Sequence, residues 1–268
     1  MTAKPPRILS IAGSDSGGGA GIQADLKTIQ LLGGHGMTAI TAITAQNTLG
    51  VQRVDPVAVD MVIAQIDSVA EDIGIDAVKV GMLGSAEMVK ALAGRLASVD
   101  APIVFDPVMV STSGSILADE ATIAAFHALM AVSTVVTPNV PELARLTWSD
   151  PQSAYEMERE ARRLARDTGT AVLAKGGHLD DDGPVIDLLA QPEGKVQRWK
   201  AKRIATDQTH GTGCTLSSAL ATGLGHGLDL PQAILQARGF VRAALKAAPG
   251  LGQGNGPLGF AGIGEFWP

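Results

Sequence analysis

Cysteine and aromatic residues are scarce in this sequence of 268 residues. Cys214 is the single cysteine, which excludes an intramolecular disulfide and leads us to expect a cytoplasmic protein. Aromatic residues make up only 3% of the chain, although hydrophobic residues of all kinds make up 46%. The core is therefore predicted to be aliphatic, and the hydrophobic content is too high for a disordered chain.

Extended basic runs and long apolar segments are also missing. The net charge is −6, so nucleic-acid binding has no electrostatic support. No apolar run reaches the ~18 residues that a membrane span needs. The N-terminal segment lacks the apolar stretch of a signal peptide. We therefore expect a protein that binds neither nucleic acid nor membranes.

Short apolar runs alternate with segments of helical periodicity along the chain. Residues 8–12 predict a strand and residues 22–32 the helix that follows it. The same alternation continues to a helix predicted at 231–248, and no linker interrupts it. This pattern predicts an α/β fold, with a mostly parallel central sheet and helices on both faces, in a single domain spanning residues 1–268.

Two further segments complete the prediction of the fold. Residues 185–189 and 195–203 are predicted to pair as a hairpin. A glycine-rich tail follows the last helix, and Phe266 and Trp267 are predicted to dock it.

Polar residues and glycines follow the strand candidates one after another. The positions are Gly13, Gln46, Gly81, Asp106, Asn139 and Lys175. In open parallel sheets, ligands bind at the carboxyl ends of the strands. The sequence therefore predicts a binding site at this edge of the sheet.

The glycine-rich segment 209–215 precedes a helix of small residues. Its backbone N–H groups could converge on an anion, although a turn around a structural cysteine explains the same pattern. It is not a P-loop, because no Gly-Lys-Ser/Thr follows the glycines. The loop 13–21 has the same two interpretations, a ligand cradle or a simple turn. His178 and His210 lack partners at metal-ligand spacing, which predicts structural or supporting roles.

Three side chains with oxygen atoms, Asp106, Asn139 and Glu142, follow two neighbouring strand candidates. Nucleotide-bound magnesium needs few such ligands because it keeps several waters. Helix capping by Asn139, with Glu142 in the first turn, is the simpler explanation of the spacing alone. Lys175 is predicted either to reach a phosphate or to lie at the surface.

Seven blocks of sequence occur in the order found in one enzyme family. They are residues 12–27, 45–48, 79–83, 106–109, 137–142, 175–178 and 210–215. Together they resemble the hydroxymethylpyrimidine/phosphomethylpyrimidine kinases of thiamine biosynthesis, in the ribokinase-like superfamily. The resemblance implies a ribokinase-like fold and two phosphoryl transfers from ATP with Mg²⁺. The first goes to the hydroxymethyl group of 4-amino-5-hydroxymethyl-2-methylpyrimidine and the second to the resulting monophosphate.

The resemblance also implies roles for individual residues and a homodimer. Gln46 matches the residue that binds the aminopyrimidine edge, and an amide suits this role because it both donates and accepts hydrogen bonds. The substrate-binding positions of the family correspond to Gly13, Ala20, Asp25 and Met82. The region around magnesium and phosphates corresponds to Asp106, Asn139 and Glu142. The catalytic positions correspond to Lys175, Gly211, Gly213 and Cys214.

Cys214 stands where ribokinase-like sugar kinases carry an aspartate as general base. Two explanations are open. A helix N-terminus can lower the pKa of a thiol, which would make Cys214 a base. Alternatively, a neutral thiol avoids the repulsion that a carboxylate would exert on an anionic monophosphate substrate.

Two other functions compete with this one. A pyridoxal or pyridoxine kinase shares the superfamily and adds only one phosphate. A non-catalytic sensor would bind the pyrimidine without turning over ATP. Lys175, Asp106 and the glycine motif at 211–213 argue against a sensor.

Overall fold

The computed structural model describes residues 4–179 and 183–263, so that Phe266 and Trp267 lie outside the described residues. Its strands are β1 (Arg7–Asp15), β2 (His35–Asn47), β3 (Gly50–Pro56), β4 (Ala77–Val80), β5 (Ile103–Phe105), β6 (Val135–Val136), β7 (Ala171–Ala174), β8 (Val185–Ala190) and β9 (Val196–Ala201). Its α-helices are α1 (Gly21–Leu31), α2 (Val59–Asp72), α3 (Ala86–Leu96), α4 (Glu120–Met130), α5 (Val140–Thr147), α6 (Ala154–Thr168), α7 (Thr212–Gly225) and α8 (Leu230–Lys246). One turn of 3-10 helix, Gly176–His178, follows β7.

Within the described residues, nine strands form one sheet in the order β3-β2-β1-β4-β5-β6-β7-β8-β9. The six neighbours from β2 to β7 run parallel. Strand β3 at one edge and strands β8 and β9 at the other pair in antiparallel fashion. The mostly parallel sheet and the hairpin formed by β8 and β9 are confirmed.

Helices cover both faces of this sheet. Helices α2 to α6 pack on one face around a cluster that includes Phe105 and Phe126. Helices α1, α7 and α8 pack on the other face around a cluster that includes Ile29 and Phe240. The core is mainly aliphatic, as the composition predicts. No helix in the ranges 4–179 and 183–263 is long and apolar enough to cross a membrane.

A charged residue lies in the middle of this apolar packing. The side chain of Lys79, on β4, is fully buried, and its Nζ atom lies 2.8 Å from Oδ2 of Asp25 on α1. The hydroxyls of Ser10 on β1 and Ser218 on α7 each donate to Asp25 at 2.6 Å. An unpaired buried charge is costly, so this network lets β4 carry a lysine where an apolar residue is expected.

Boundaries near the sheet edge differ from the predicted ones in ways that affect the site. Strand β1 continues to Asp15 through an irregularity at Gly13, whereas the sequence predicts its end at residue 12. Helix α7 begins at Thr212 rather than at residue 215, which places Gly213 and Cys214 in its first turn. The sequence did not predict β3, whose residues are mostly exposed.

Replacing Asp25 with alanine should strongly destabilise the fold. Lys79 would keep its charge in a buried position without a counterion, and breaking such a pair costs roughly 3–5 kcal/mol. Urea denaturation should show this loss. The control Arg53→Ala removes an exposed ion pair with Asp55 and should leave the denaturation midpoint nearly unchanged. Equal effects of the two variants would contradict the structural role of Asp25.

Candidate active site

A cleft of about 1460 Å³ opens at the carboxyl ends of the parallel strands. It exceeds the roughly 300–1,000 Å³ of a typical small-molecule site, so two ligands can fit side by side. Eleven of the twelve predicted site residues line it: Gly13, Ala20, Gln46, Met82, Asp106, Asn139, Glu142, Lys175, Gly211, Gly213 and Cys214. The predicted edge of the sheet is therefore where the cleft lies.

The ladder of the sheet explains why these residues meet. The residue after each of several strands still bonds to the neighbouring strand: the N–H of Asp106 donates to the carbonyl of Val80 at 2.8 Å. In the same way, Thr137 donates to Phe105, and Lys175 donates to Pro138, each at 2.9 Å. Residues far apart in sequence are thereby held side by side at one edge.

Asp25 is the predicted substrate-binding residue that the structure places elsewhere. Its side chain is fully buried beneath the cleft and does not line it. Both carboxylate oxygens accept hydrogen bonds from inside the protein, from Lys79, Ser10 and Ser218. The expectation of direct substrate contact is therefore corrected: Asp25 neutralises Lys79.

The N-terminus of α7 faces the cleft without a side-chain cap. Its N-cap is Gly211, with φ of 83°, and a Cβ atom there would lie 1.9 Å from the carbonyl oxygen of Gly19. Only glycine fits this position, because other residues rarely adopt positive φ and a side chain would clash. The first backbone N–H groups of a helix lack intrahelical acceptors, and the helix dipole favours negative charge there. This end of α7 is suited to bind an anion.

Charged side chains surround the first turn of α7. Lys175 Nζ lies 2.8 Å from Asp106 Oδ1 and 3.9 Å from Glu142 Oε2, and the side chain of Lys175 is only 14% exposed. A Cβ atom on Gly213 would lie 3.2 Å from Asp106 Oδ2 and 3.5 Å from Lys175 Nζ. Lys175 is therefore a cleft residue and not a surface lysine, and glycine at 213 keeps the space beside it open.

Burial and neighbouring charges set the protonation of this cluster. Burial lowers the pKa of Lys175, but the charges of Asp106 and Glu142 together raise it by more. The net pKa is therefore above the ordinary value. Burial raises the pKa of Asp106, and Lys175 together with Lys79 outweighs it, so the net shift is downward. Burial raises the pKa of Glu142 to about 7, against the opposing effect of Lys175. The Lys175–Asp106 pair is thus charged at neutral pH.

Asn139 and Glu142 form the capping box that the simpler interpretation of their spacing predicts. Asn139 Oδ1 accepts from the N–H of Glu142, and Glu142 Oε2 accepts from the N–H of Asn139, each at 2.8 Å. The cap is confirmed as their role in starting α5. It holds the Glu142 carboxylate 3.9 Å from Lys175 Nζ, at the edge of the cleft.

Magnesium fits this part of the cleft only as a nucleotide-bound ion. The described residues contain no cluster of three or more His, Cys, Asp or Glu side chains that could hold a metal. Asp106 and Glu142 nevertheless offer two carboxylates beside Lys175. Such a sparse set suits Mg²⁺, which usually binds to one or two carboxylates together with phosphates and waters.

Cys214 lies in the first turn of α7, lines the cleft and is partly exposed. Burial of the thiol raises its pKa to about 11. The charges of Asp25 and Asp106 add to this effect, and Lys79 opposes it. The helix N-terminus therefore does not make Cys214 a thiolate. The structure supports the second explanation of this residue, a neutral thiol.

The first glycine-rich loop folds around Asp15, a residue that the sequence interpretation did not single out. Backbone N–H groups of Gly17, Gly19 and Ala20 donate to its carboxylate at 2.8, 3.0 and 2.8 Å. These amides are consequently engaged within the protein, so the loop is a turn and not a backbone cradle for a ligand. The sequence signal was an aspartate two residues before a run of three glycines.

Gln46, near the end of β2, also lines the cleft. Gly13 and Met82 line it too and pack closely against each other, since a Cβ atom on Gly13 would lie 2.7 Å from Met82 Cε. His210, buried next to Gln46, also contacts Asp15, with Nε2 at 2.9 Å from Oδ2. The sequence predicted only a structural or supporting role for His210, because its partners come from distant parts of the chain.

Alanine substitutions at the two glycines of α7 should separate folding from ligand binding. Gly211→Ala combines a backbone clash with strain that costs roughly 1–3 kcal/mol, and should lower the thermal unfolding midpoint. Gly213→Ala lies in regular helix and should fold normally. Its methyl group occupies the space beside Lys175, so calorimetry should show weakened binding of ATP with magnesium. Normal ATP binding by folded Gly213→Ala would contradict the assignment of this space to phosphate.

Known proteins resemble this chain over nearly its whole length. The sequence profile of the family described as phosphomethylpyrimidine kinase matches residues 15–259. A hydroxymethylpyrimidine/phosphomethylpyrimidine kinase from Streptomyces coelicolor is 47% identical over 256 residues, which cover 95% of this chain and 94% of the relative. A thiamine biosynthesis multifunctional protein from Corynebacterium efficiens is 45% identical over 94% of this chain, which matches 35% of that longer protein.

Solved structures show the same fold. The ADP complex of Bacillus subtilis pyridoxal kinase superimposes with a TM-score of 0.88 at 33% identity, over 97% of this chain and 98% of that one. This likeness confirms the ribokinase-like α/β fold expected from the sequence. The family match and the relatives agree with the geometry of the cleft, and the chain belongs to the phosphomethylpyrimidine kinase family.

Proposed function

We propose that this protein phosphorylates 4-amino-5-hydroxymethyl-2-methylpyrimidine, and then its monophosphate, with ATP as donor in thiamine biosynthesis. Its membership of the phosphomethylpyrimidine kinase family supports a kinase. The observation that carries the proposal is one cleft lined by two kinds of group. An uncapped helix N-terminus lies beside Lys175 and Asp106, and Gln46 lines the same cleft. The first group suits phosphates and the second a polar heteroaromatic ring.

Each group at or beside the start of α7 has a role that follows from its position. The N–H groups at the start of α7 stabilise charge on the phosphoryl group during transfer. Lys175, charged and largely buried, neutralises phosphate oxygens of the nucleotide. Asp106 and Glu142 would hold magnesium, which neutralises charge on the phosphates when bound. ADP bound to the similar pyridoxal kinase supports ATP as the nucleotide.

Cys214 lies at the phosphoryl-transfer centre as a neutral group. With the pKa of its thiol near 11, it offers no base at neutral pH. The monophosphate is already anionic and needs none. Catalysis would then rest on positioning and on charge neutralisation by Lys175 and the amides of α7.

Pyridoxal kinase activity is the alternative that the structural similarity favours. Both reactions phosphorylate a hydroxymethyl group on a heteroaromatic ring, so the fold does not separate them. The second phosphorylation does, because pyridoxal kinase stops at one phosphate. The deciding experiment incubates the protein with ATP, magnesium and either the aminopyrimidine or pyridoxal, and follows products by mass. A pyrimidine diphosphate supports the proposal; phosphorylation of pyridoxal alone contradicts it, as does absence of ATP turnover.

Lys175→Met should lower turnover far more than affinity for the pyrimidine. The substitution keeps the alkyl stem but removes the cation that acts while charge redistributes on the phosphoryl group. By analogy with loss of one preorganised donor, kcat should fall by about 10²-fold or more, with KM for the pyrimidine little changed. Steady-state kinetics measures both. An unchanged kcat would show that Lys175 serves only to pair with Asp106.

Cys214→Asp should impair the second phosphorylation much more than the first. At ~4 Å and an effective dielectric constant of ~20, two like unit charges repel by about 4 kcal/mol. The neutral hydroxymethyl substrate does not experience this repulsion, so monophosphate should accumulate in a time course of products. The control Cys214→Ser stays neutral and should keep the ratio of the two rates near that of the wild type. Equal slowing of both steps by Cys214→Asp would exclude the charge explanation.

The proposal includes a homodimer in which the hairpin of β2 and β3 forms the contact. Three large apolar residues on this hairpin are exposed: Ile43 by 58%, Leu49 by 62% and Val54 by 39%. Exposed apolar residues that lie together are typical of protein contacts. Val54 pairs with Thr44 and therefore lies on the face of the hairpin opposite to Ile43, so the proposed contact is assigned to Ile43 and Leu49. One sheet containing all nine described strands supports a single domain over residues 1–268. The cytoplasmic location stays a prediction.

Ile43→Asp should convert dimers to monomers, because a charge replaces an apolar side chain in the proposed contact. Light scattering after size-exclusion chromatography measures the mass in solution. The matched control is Leu235→Asp, which changes a residue of α8 that is 59% exposed and lies away from the hairpin. A wild-type monomer, or a dimer that survives Ile43→Asp, would contradict the proposed contact.

A further inference from the structure

His210 lies between Asp15 of the first glycine-rich loop and Gln46, and all three residues line the cleft. Its side chain is only 8% exposed. One ring nitrogen, Nε2, lies 2.9 Å from Asp15 Oδ2 and 3.3 Å from Gln46 Nε2. The same atom therefore contacts a carboxylate and the amide that we assign to recognition of the substrate. These two contacts place different demands on the proton at Nε2.

The contact with Asp15 requires a proton on Nε2. Burial raises the pKa of Asp15, but hydrogen bonds from His210, Ala20 and Gly17 outweigh it, so the net pKa is lower than usual. An ionised carboxylate can only accept hydrogen bonds. At 2.9 Å the imidazole nitrogen must therefore donate, since two acceptors at that distance would repel each other.

A protonated Nε2 cannot accept a hydrogen bond from the amide nitrogen of Gln46. The oxygen and nitrogen of a side-chain amide have nearly the same shape, so hydrogen-bond partners decide which is which. Exchanging them places the Gln46 carbonyl oxygen 3.3 Å from His210 Nε2, where it shares the N–H that Asp15 also accepts. The NH₂ group then takes the position of the present Oε1 atom, 3.3 Å from Thr44 Oγ1.

Thr44 is a suitable partner for this exchanged amide. Its hydroxyl proton is already donated to the carbonyl oxygen of Ser14 at 2.8 Å, so its oxygen is left to accept from Gln46. The backbone of Gln46 is fixed independently: its N–H donates to Ser16 Oγ at 2.8 Å, and its carbonyl accepts from that hydroxyl at 2.7 Å. Rotation of the amide is the freedom that remains, and Thr44 and His210 remove it.

A fixed amide presents one N–H group and one oxygen lone pair to the cleft in a set order. The edge of a 4-aminopyrimidine is complementary to one such order, because its ring nitrogen accepts and its amino group donates. The 4-oxo analogue carries a ring N–H and a carbonyl, which is the reverse order. The orientation of the Gln46 amide therefore distinguishes these two substrates.

We propose that His210, held by Asp15, is a positioning residue that fixes the orientation of the Gln46 amide and thereby sets the preference for 4-amino over 4-oxo pyrimidines. The proposal rests on the proposed function, since it assumes that Gln46 binds the pyrimidine edge. His210 acts through Gln46.

The first experiment measures the proton directly in the wild-type protein. With nitrogen-15 in the histidine rings, long-range proton–nitrogen correlation spectra distinguish a protonated from an unprotonated Nε2, and the His210→Phe spectrum assigns the signal. We expect a protonated Nε2 at neutral pH. An unprotonated Nε2 overturns the proposal, whatever the protein phosphorylates.

The second experiment compares kcat/KM for 4-amino-5-hydroxymethyl-2-methylpyrimidine and its 4-oxo analogue. His210→Phe keeps the ring but removes the donor, and should reduce the preference about tenfold or more, mainly through KM for the pyrimidine. KM for ATP should not change. His210→Gln keeps an N–H donor and should recover part of the preference. The control His127→Phe alters an exposed histidine of α4 and should match the wild type.

The outcomes separate this inference from the proposed function. An unchanged preference in folded, active His210→Phe overturns the role of His210 and leaves the kinase activity standing. If His210→Phe does not fold, Thr44→Val removes the other partner of the amide at nearly equal volume, and an unchanged preference there overturns the proposal in the same way. If the wild type phosphorylates neither pyrimidine, the proposed function fails, and with it the role assigned to His210 in substrate choice.

Discussion

The buried ion pair between Lys79 and Asp25 is the constraint on which the site depends. Lys79 extends from the central strand β4, and Asp25 receives it from α1 while also accepting from Ser10 and Ser218. The cost of separating these charges in an apolar interior couples strands β1 and β4 to helices α1 and α7. Helix α7, which carries Ser218, is thereby held with its N-terminus over the edge of the sheet.

The charges of the cleft follow from that arrangement. Lys79 pairs with Asp25, and Lys175 lies near both Asp106 and Glu142. A further fixed carboxylate at position 214 would add negative charge and repel an anionic acceptor. A thiol at that place stays neutral because burial and the carboxylates of Asp25 and Asp106 raise its pKa. Cys214 is thus consistent with a site that accepts a phosphate monoester.

The two glycine-rich loops use the same residue type in opposite ways. In the first, the amides turn inward and bind the carboxylate of Asp15, which also holds His210. In the second, Gly211 starts a helix that has no side-chain cap and whose first turn lines the cleft. The amides of the first loop thus bind a carboxylate of the protein itself, whereas the start of α7 has no side-chain acceptor.

The sequence alone predicted the α/β fold, the edge of the sheet at which the cleft lies, and twelve site residues, of which eleven line the cleft. Hydrophobic periodicity, polar residues and glycines at strand ends, and motifs in a fixed order are local signals that can be read from the sequence. The tertiary structure decided which role each residue takes. Asp25 became a buried counterion and His210 a neighbour of Gln46, because their partners lie 54 and 164 residues away. Long-range contacts of this kind set burial and hydrogen bonding, and neither can be derived from the spacing of residues along the chain.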